Sequence, residues 1–582
     1  MFRHRVGGLL EDMVAQAGCI ERPMLLWCNR SALLLCPPES EDPGMNASNQ
    51  QKSLDVVIVG AGFAGLYQLH RARKAGLTAR VIEAGEGVGG TWYWNRYPGA
   101  RCDVESLDYS FSFDEVLEQE WTWSERYATQ PEILRYIHHV ADRFDLRRDI
   151  QFRTRVTQAI FDEQRKRWTL ETDSGESFDA QFCVMATGCL SIAQAPNFKG
   201  LDSFAGTWYH SADWPKEGVD FAGKRVGVIG TGSSGVQMIP LIAEQADHLT
   251  VFQRTANFSV PAQNEPLDDE AVRHAKANYR ERRARAREAN NGLYLEAVDK
   301  SALEVSDEER LREFEFRWRG AGGGFRMLRA FNDLLVNEKA NEYVSDFVRS
   351  KIHTIVRDPK VAELLCPKKE LRFGTKRLCV DSGYYETFNR PNVTLVDVKT
   401  APIEEVTPRG LRTSAQEYEL DVLVFATGFD AMTGALRAID IRGVGGVTLR
   451  ERWQHGPRTY LGVSSSGFPN MFIIAGPGSP SVLSNVVHSI EEHVDWVTRL
   501  IQHARETNRA YVACELQAED EWVHHVNEVA DRTLYPRGNS WYVGANIPGK
   551  PRIFMPYVGG VPAYRKILNE VADAGYRGFV LS

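Results

Sequence analysis

The sequence contains no CxxC pair: its nine cysteines are odd in number and scattered. That excludes a disulfide framework, a zinc ribbon and a dithiol redox centre, and it fits a reducing, cytoplasmic compartment. A basic surplus is missing as well. The 69 Lys and Arg face 77 Asp and Glu, a formal charge of −8, so nucleic acid is not an expected partner. No run of uncharged apolar residues reaches the roughly 18 needed to span a bilayer, and no membrane partner is expected. The stretch from Met24 to Cys36 is interrupted by Asn29 and Arg30, and Glu11 and Asp12 break the apolar core that a secretion signal requires. Metal and hydrolase motifs are also lacking. His488-Ser-Ile-Glu-Glu-His493 fits neither HExxH nor HxxEH, so no metal is expected, and Gly232-Ser-Ser-Gly235 is one residue short of GxSxG.

What is present is an ordinary globular composition, 43% hydrophobic and 25% charged, in a 582-residue chain long enough for about three or four packed units. Residues 1–50 read as an N-terminal extension. Cys36-Pro-Pro-Glu-Ser-Glu-Asp-Pro-Gly44 is a linker composition, and Met45, which opens a polar lead-in, reads equally well as a translation start. The β-branched run Val56-Val57-Ile58-Val59 then has the pattern of a strand buried on both faces. It runs into Gly60-Ala61-Gly62-Phe63-Ala64-Gly65, a helix expected over residues 66–75, a strand over residues 80–82, and Glu83, 18 residues past the last glycine. Glycines permit the tight turn and a close backbone approach to a diphosphate. The helix N-terminus supplies donors and positive potential, and the acid suits ribose hydroxyls. Gly60, Gly62, Ala64, Gly65 and Glu83 are the candidate contacts of this complete dinucleotide fingerprint.

The pattern occurs twice. Arg225-Val-Gly-Val-Ile229 leads into Gly230-Thr231-Gly232-Ser233-Ser234-Gly235, a helix expected over residues 236–245 with Gln237 near its start, and a strand over residues 249–252. Where the first copy places its acid, this one has Gln253-Arg254-Thr255. A carboxylate repels a 2′-phosphate and an arginine pairs with it, so the second site is expected to prefer NADPH. Two unlike dinucleotide sites imply an electron relay between a tightly held FAD and a diffusible nicotinamide. Strands ending in Ala186-Thr-Gly188 and Ala426-Thr-Gly428 bracket the second copy, as where a chain crosses between lobes. The expected fold is therefore α/β, with two Rossmann-like dinucleotide-binding domains, the second inserted in the first, plus a helical subdomain. The boundaries are 51–188 and 427–582 for FAD, 191–260 and 370–426 for NADPH, and 261–369 for the helical part. In the latter, Arg280, Arg282, Arg283, Arg285 and Arg287 alternate with acids and read as a solvated helix face, while Gly322-Gly323-Gly324 follows no strand and reads as a breaker.

Between the copies stands Phe204-Ala-Gly206-Thr-Trp-Tyr-His210-Ser-Ala-Asp-Trp214-Pro215, the FxGxxxHxxxW(P) pattern, and upstream lies Gly89-Gly-Thr-Trp-Tyr-Trp-Asn-Arg-Tyr-Pro-Gly-Ala-Arg-Cys-Asp103. With both, the chain resembles the type I Baeyer–Villiger monooxygenases from about residue 54 to 582, in wording nearest their phenylacetone and steroid branch. Flavin-containing N- and S-oxygenating monooxygenases resemble the layout but usually end the signature with Tyr or Phe, where this chain has Trp214. They are the alternative, together with a non-catalytic nucleotide sensor of the same fold. The resemblance implies an enzyme that uses NADPH and O2 through an FAD C4a-peroxide to turn ketones into esters or lactones. It also implies site roles. Arg377, within Gly374-Thr-Lys-Arg377, would carry the fixed positive charge the reaction needs, with Asp103 beside it and Lys376 joining Arg254 on the 2′-phosphate. Thr91, Trp92, Tyr93, Trp94, Asp103, Tyr109, Val156 and Val486 would line FAD. Arg101, Cys102, Thr255 and Trp541 would face NADP with the second glycine turn, and Ser481, Val482 and Leu483 would border the ketone pocket. His210 would couple the lobes rather than act as an acid or base.

Overall fold

The computed structural model describes residues 53–582, so the expectations for residues 1–50 lie outside it. An eight-stranded sheet is built around Ser53–Val59, which pairs in parallel with Ala79–Ile82 on one side and Ser177–Met185 on the other. The alternation of side chains explains its unbroken apolar sequence. Val56 and Ile58 enter a cluster with Leu66, Leu69 and Val494, while Val57 and Val59 enter another with Phe161, Trp168 and Leu170. Burying each such side chain contributes about 1.5–3 kcal/mol. The late strands Asp440–Arg442 and Met471–Ile473 belong to this same sheet. A second, five-stranded sheet is parallel throughout, in the order Val393–Asp397, His248–Gln253, Arg225–Ile229, Val422–Phe425, Thr207–His210.

Both glycine turns leave their strands the same way. Gly60 and Gly230 adopt φ of 104° and 113°, and helices Phe63–Lys74 and Ser233–Gln245 follow, with Gly62 and Gly232 as N-caps. Each helix starts three residues earlier than the sequence reading placed it, so the third glycine already lies in the first turn. A Cβ on Gly65 would overlap the Gly60 carbonyl oxygen, and one on Gly235 would overlap that of Gly230. The bare Cα lets the helix close onto the strand end. The carbonyl oxygens of Ala186 and Ala426 lie where a Cβ on Gly60 or Gly230 would go, which bars a side chain at those two glycines.

Between the strands His248–Gln253 and Val393–Asp397 of the second sheet the chain forms helices Asp269–Arg287, Asp307–Arg319, Gly323–Met327, Glu338–Ile355 and Pro359–Leu365. Four of them start on a side-chain cap from Asp268, Ser306, Asn337 or Asp358, each worth about 1 kcal/mol. Phe314, Phe331 and Val344 share one apolar cluster with Val226, Val228 and Ile239 of the second nucleotide fold. The arginine run corrects an expectation. Arg280 and Arg285 are exposed, but Arg282 grips Asp108 through Nε (2.7 Å) and Nη2 (2.8 Å), and Arg283 is buried against Glu118 (2.9 Å) and the Ser110 hydroxyl (2.7 Å). Alternation with acids in sequence disguised an interface whose counter-charges lie some 170 residues upstream. The glycine run also does more than break a helix, since Gly322 and Gly323 take positive φ and Gly324 lies against Leu378, letting Gly323–Met327 come in close.

Candidate active site

The two turns present donor-rich helix ends. Neither helix has a side-chain cap or an acid in its first turn, so the positive end of each dipole is uncompensated. A Cβ on Gly232 would meet nothing within 4 Å, and one on Gly62 only Gly90. Such cradles fit a dinucleotide diphosphate. Glu83 is 5% exposed and is held from below, accepting from the Ala61 N–H (2.6 Å) and the Gly85 N–H (2.7 Å). Burial raises its pKa and those two donors draw it back. A carboxylate has about four lone-pair positions, so two remain for ribose hydroxyls.

At the second turn the corresponding position is Gln253, buried and donating to Leu364 O (2.8 Å), with Arg254 and Thr255 exposed beside it. The Thr231 hydroxyl donates to Thr255 O (3.2 Å), tying the turn to this strand end. Lys376 comes close enough for Arg254's charge to act on it: burial lowers the lysine's pKa, and the neighbouring arginine lowers it further. Neither cation forms an ion pair with a carboxylate among the described residues. Two facing, unpartnered cations fit a phosphate.

The segment from Gly89 to Asp103 joins the two sites. Thr91–Trp94 is a single helical turn, in which Trp92 Nε1 donates to the Tyr109 hydroxyl (3.1 Å) and the Tyr93 hydroxyl accepts from Glu86 N–H (3.1 Å). Further along, Gln237 on the second helix accepts from the Tyr97 hydroxyl (2.9 Å) and donates to Arg101 O (3.1 Å). Ser233 lies 3.7 Å from Cys379 Sγ, and Ser234 lies beside Tyr97. Cys102 is buried, and burial pushes its thiol well above the usual range. The next residue, Asp103, receives two parallel bonds from Arg377, Nε to Oδ2 (2.8 Å) and Nη2 to Oδ1 (2.7 Å). Arg377 Nη1 donates to Val482 O (2.7 Å), and the Phe325 ring lies 4.7 Å from its Cζ. Burial works against the guanidinium's charge, but Asp103 outweighs it and the pKa is raised. This cation keeps its proton at every working pH.

Arg377 and Asp103 border an open cavity whose empty space, solvent at its mouth included, is roughly 360 Å³. Its walls are Phe325, Leu328, Leu378, Val380 and Leu483, with the phenols of Tyr535 and Tyr542. Of the three expected pocket residues only Leu483 lines it. Val482 contributes its carbonyl to Arg377, and Ser481 is buried with its hydroxyl donating to Ala475 O (3.1 Å). Val486 opens the helix Val486–Glu506 directly after this loop, and Trp541 lies half-buried with its ring 4.3 Å from Tyr542. Val156 is buried in the apolar cluster of the first sheet with Val59 and Ile82, the residues that run into Gly60 and Glu83. Phe325 and Leu328 were missed by sequence reasoning although the glycine run before them marks a close approach, and Tyr542 was passed over for its neighbour Trp541. His210 bridges the crossing strands, with Nδ1 accepting from Ala212 N–H (3.1 Å) and Nε2 3.1 Å from the Thr427 hydroxyl.

Residues 57–305 match the family described as pyridine nucleotide-disulphide oxidoreductase. The chain is 44% identical to a Baeyer–Villiger monooxygenase of Pseudooceanicola batsensis over 92% of its own length and 97% of that protein. It is equally 44% identical to a phenazine N-monooxygenase of Lysobacter antibioticus, covering 92% of this chain and 98% of that one. Among solved structures, an oxidised steroid monooxygenase bound to NADP superposes with a TM-score of 0.88 at 55% identity, over 91% of this chain and 99% of that one. Two glycine turns and an Asp103–Arg377 pair, on a chain this similar over some nine-tenths of its length, place the protein in the Baeyer–Villiger monooxygenase family.

Proposed function

We propose that the protein is an FAD- and NADPH-dependent monooxygenase that converts ketones to esters or lactones in the cytoplasm. The observation that carries this reading is Arg377: a permanent cation, fixed by Asp103 and Val482, at the edge of an otherwise apolar cavity. FAD would be held by the Gly60–Gly65 turn with Glu83 on its ribose, and NADPH by the Gly230–Gly235 turn with Arg254 and Lys376 on its 2′-phosphate. When bound, the pair supplies reducing equivalents and activates O2, so that ketone, O2, NADPH and a proton give ester, water and NADP+. The chain's own contribution is electrostatic and steric. Three of Arg377's N–H groups are committed to Asp103 and Val482, and of the two that remain, at the edge of the cavity and beside the Tyr542 phenol, at least one is available to the negative charge that develops on the substrate oxygen. Donors fixed beforehand need no reorganisation as that charge appears. The aliphatic and aromatic wall excludes water and receives the ketone's apolar substituents.

A second reading, N-oxygenation of a heteroaromatic amine, is favoured by the similarity to a phenazine N-monooxygenase. One experiment separates the two. The FAD-loaded protein is incubated with NADPH and O2 against aliphatic, cyclic, aryl and steroid ketones and against aromatic N-heterocycles. Esters or lactones with matched NADPH consumption are expected. N-oxides in place of esters would transfer the assignment to the second reading, and NADPH binding without product would leave a nucleotide sensor.

A further inference from the structure

The cavity beside Arg377 has a polar group with no task in the reaction as described. Tyr542 lies in the single turn Trp541–Val543 and lines the cavity. Its ring is fixed: the residue is 2% exposed and packs edge-on against Tyr535, ring centroids 5.8 Å apart, with Trp541 on its other side. Its hydroxyl faces the Arg377 guanidinium. Of that guanidinium's five N–H groups, Nε and one Nη2 bond go to Asp103 and one Nη1 bond goes to Val482 O. The remaining N–H on each terminal nitrogen suits a phenol oxygen as acceptor. A phenol that accepts from arginine has its own O–H as the free end; the other polar groups on the wall are the Tyr535 phenol and the Asp103 carboxylate, both of whose oxygens already accept from Arg377, and the rest is aliphatic and aromatic carbon.

We propose that the Tyr542 hydroxyl is a second hydrogen-bond donor to the substrate's carbonyl oxygen, acting beside Arg377. The proposal rests on the ketone reading above. A carbonyl oxygen has two in-plane lone pairs, so a guanidinium N–H and a phenol O–H satisfy both. With two fixed donors the carbonyl cannot rotate about its own axis, and one face of the ketone is presented for attack. The group is specific for substrates with an unhindered carbonyl oxygen, because a bulky neighbour would displace one donor. Burial raises the phenol's pKa and Arg377 draws it back, to about 12, so it stays a donor throughout the neutral range. No proton is transferred; the bond tightens as charge grows on the oxygen.

Tyr542→Phe removes one oxygen atom and keeps the ring packing. In the FAD-loaded enzyme, kcat for ester formation should fall roughly 10–100-fold while KM for the ketone stays within about threefold, as for loss of one preorganised donor. Ester formed per NADPH consumed should fall with it. Incorporating 3-fluorotyrosine at position 542 keeps the donor and should keep kcat. Wild-type kcat and KM in Tyr542→Phe would overturn the proposal, as would a raised KM with unchanged kcat, which signals a contact of the ground state only. Equal loss of kcat in the 3-fluorotyrosine protein would assign the effect to ring packing and overturn it as well. Should the wild-type enzyme form no ester from any ketone, the parent reading fails and this one with it; an active wild type beside an unaffected Tyr542→Phe overturns this one alone.

Discussion

Arg377 is held on three of its N–H groups, and the structure says what each substitution there would lose. Arg377→Ala should keep FAD and still accept electrons from NADPH, because none of the glycine-turn contacts involves its side chain. Ester formation should drop by at least ~10²–10³, the scale for a lost preorganised donor. Arg377→Lys should recover little, since an ammonium cannot hold Asp103 through two parallel bonds and keep a donor free. Product and hydrogen peroxide per NADPH, measured for both variants, check this; near-normal ester from Arg377→Ala would remove the residue from the reaction. Arg254 makes a second residue-scale prediction. Arg254→Ala should raise KM for NADPH far more than KM for NADH, and equal weakening of both coenzymes would mean that the residue does not read the 2′-phosphate.

Two elements separate the cofactor sites. A Cβ on Gly65 or Gly235 would collide with backbone, which cannot move aside as a flexible side chain would. Gly65→Ala should therefore yield protein with little FAD, whereas Gly235→Ala should keep its yellow colour and lose roughly 10²-fold in kcat/KM for NADPH, the scale of a ~1 Å misplacement. Flavin absorbance and coenzyme kinetics on the two variants test it. The helix Val486–Glu506 carries a pH dependence. Glu491 is buried on it and accepts from Ser112 N–H and hydroxyl (both 2.6 Å), with Arg283 and Asp495 as the nearest charges. Burial raises its pKa from 4.5 to about 7, the serine bonds and Arg283 opposing and Asp495 adding. The folded state then binds the proton more tightly than the unfolded one, so its stabilising contribution is complete below about pH 4.5 and is lost as pH rises through 7. Tm of wild type relative to Glu491→Gln should fall between pH 5 and 8; parallel curves would place the carboxyl's pKa near its unfolded value. How far these elements could be read beforehand differs. The glycine turns were legible because backbone geometry restricts them to one residue type. Glu491 was not, since only the packing of a distant Ser112 makes its carboxyl a buried one.

At the scale of the whole molecule, charge pairs between distant segments fix the helical stretch against the flavin-side lobe. Arg282 is the bidentate partner of Asp108, whose side chain is only 3% exposed. Arg282→Ala would leave that carboxylate buried and unpaired, a cost of about 3–5 kcal/mol. Urea denaturation of the FAD-loaded protein should show it, and adding Asp108→Asn should restore most of the loss. If Arg282→Ala alone unfolds at the wild-type midpoint, the pair is not holding the two segments together.

The sequence alone determined the two nucleotide folds and their order along the chain, because strand burial, tight turns and helix starts are enforced within some thirty residues by local sterics and side-chain alternation. It also supplied Arg377 and Asp103, through the wording of their motifs. What only the tertiary structure decided are the things that depend on residues far apart meeting. Asp103 and Arg377 are 274 positions apart in the chain, and Arg282 and Asp108 174 apart. The cavity is assembled from five stretches near residues 103, 325, 378, 483 and 540. No local pattern encodes such meetings, since charge and apolarity are sequence properties but partnership is not. The same alternation of arginines and acids reads as a wet helix face until folding brings Asp108 and Glu118 against it.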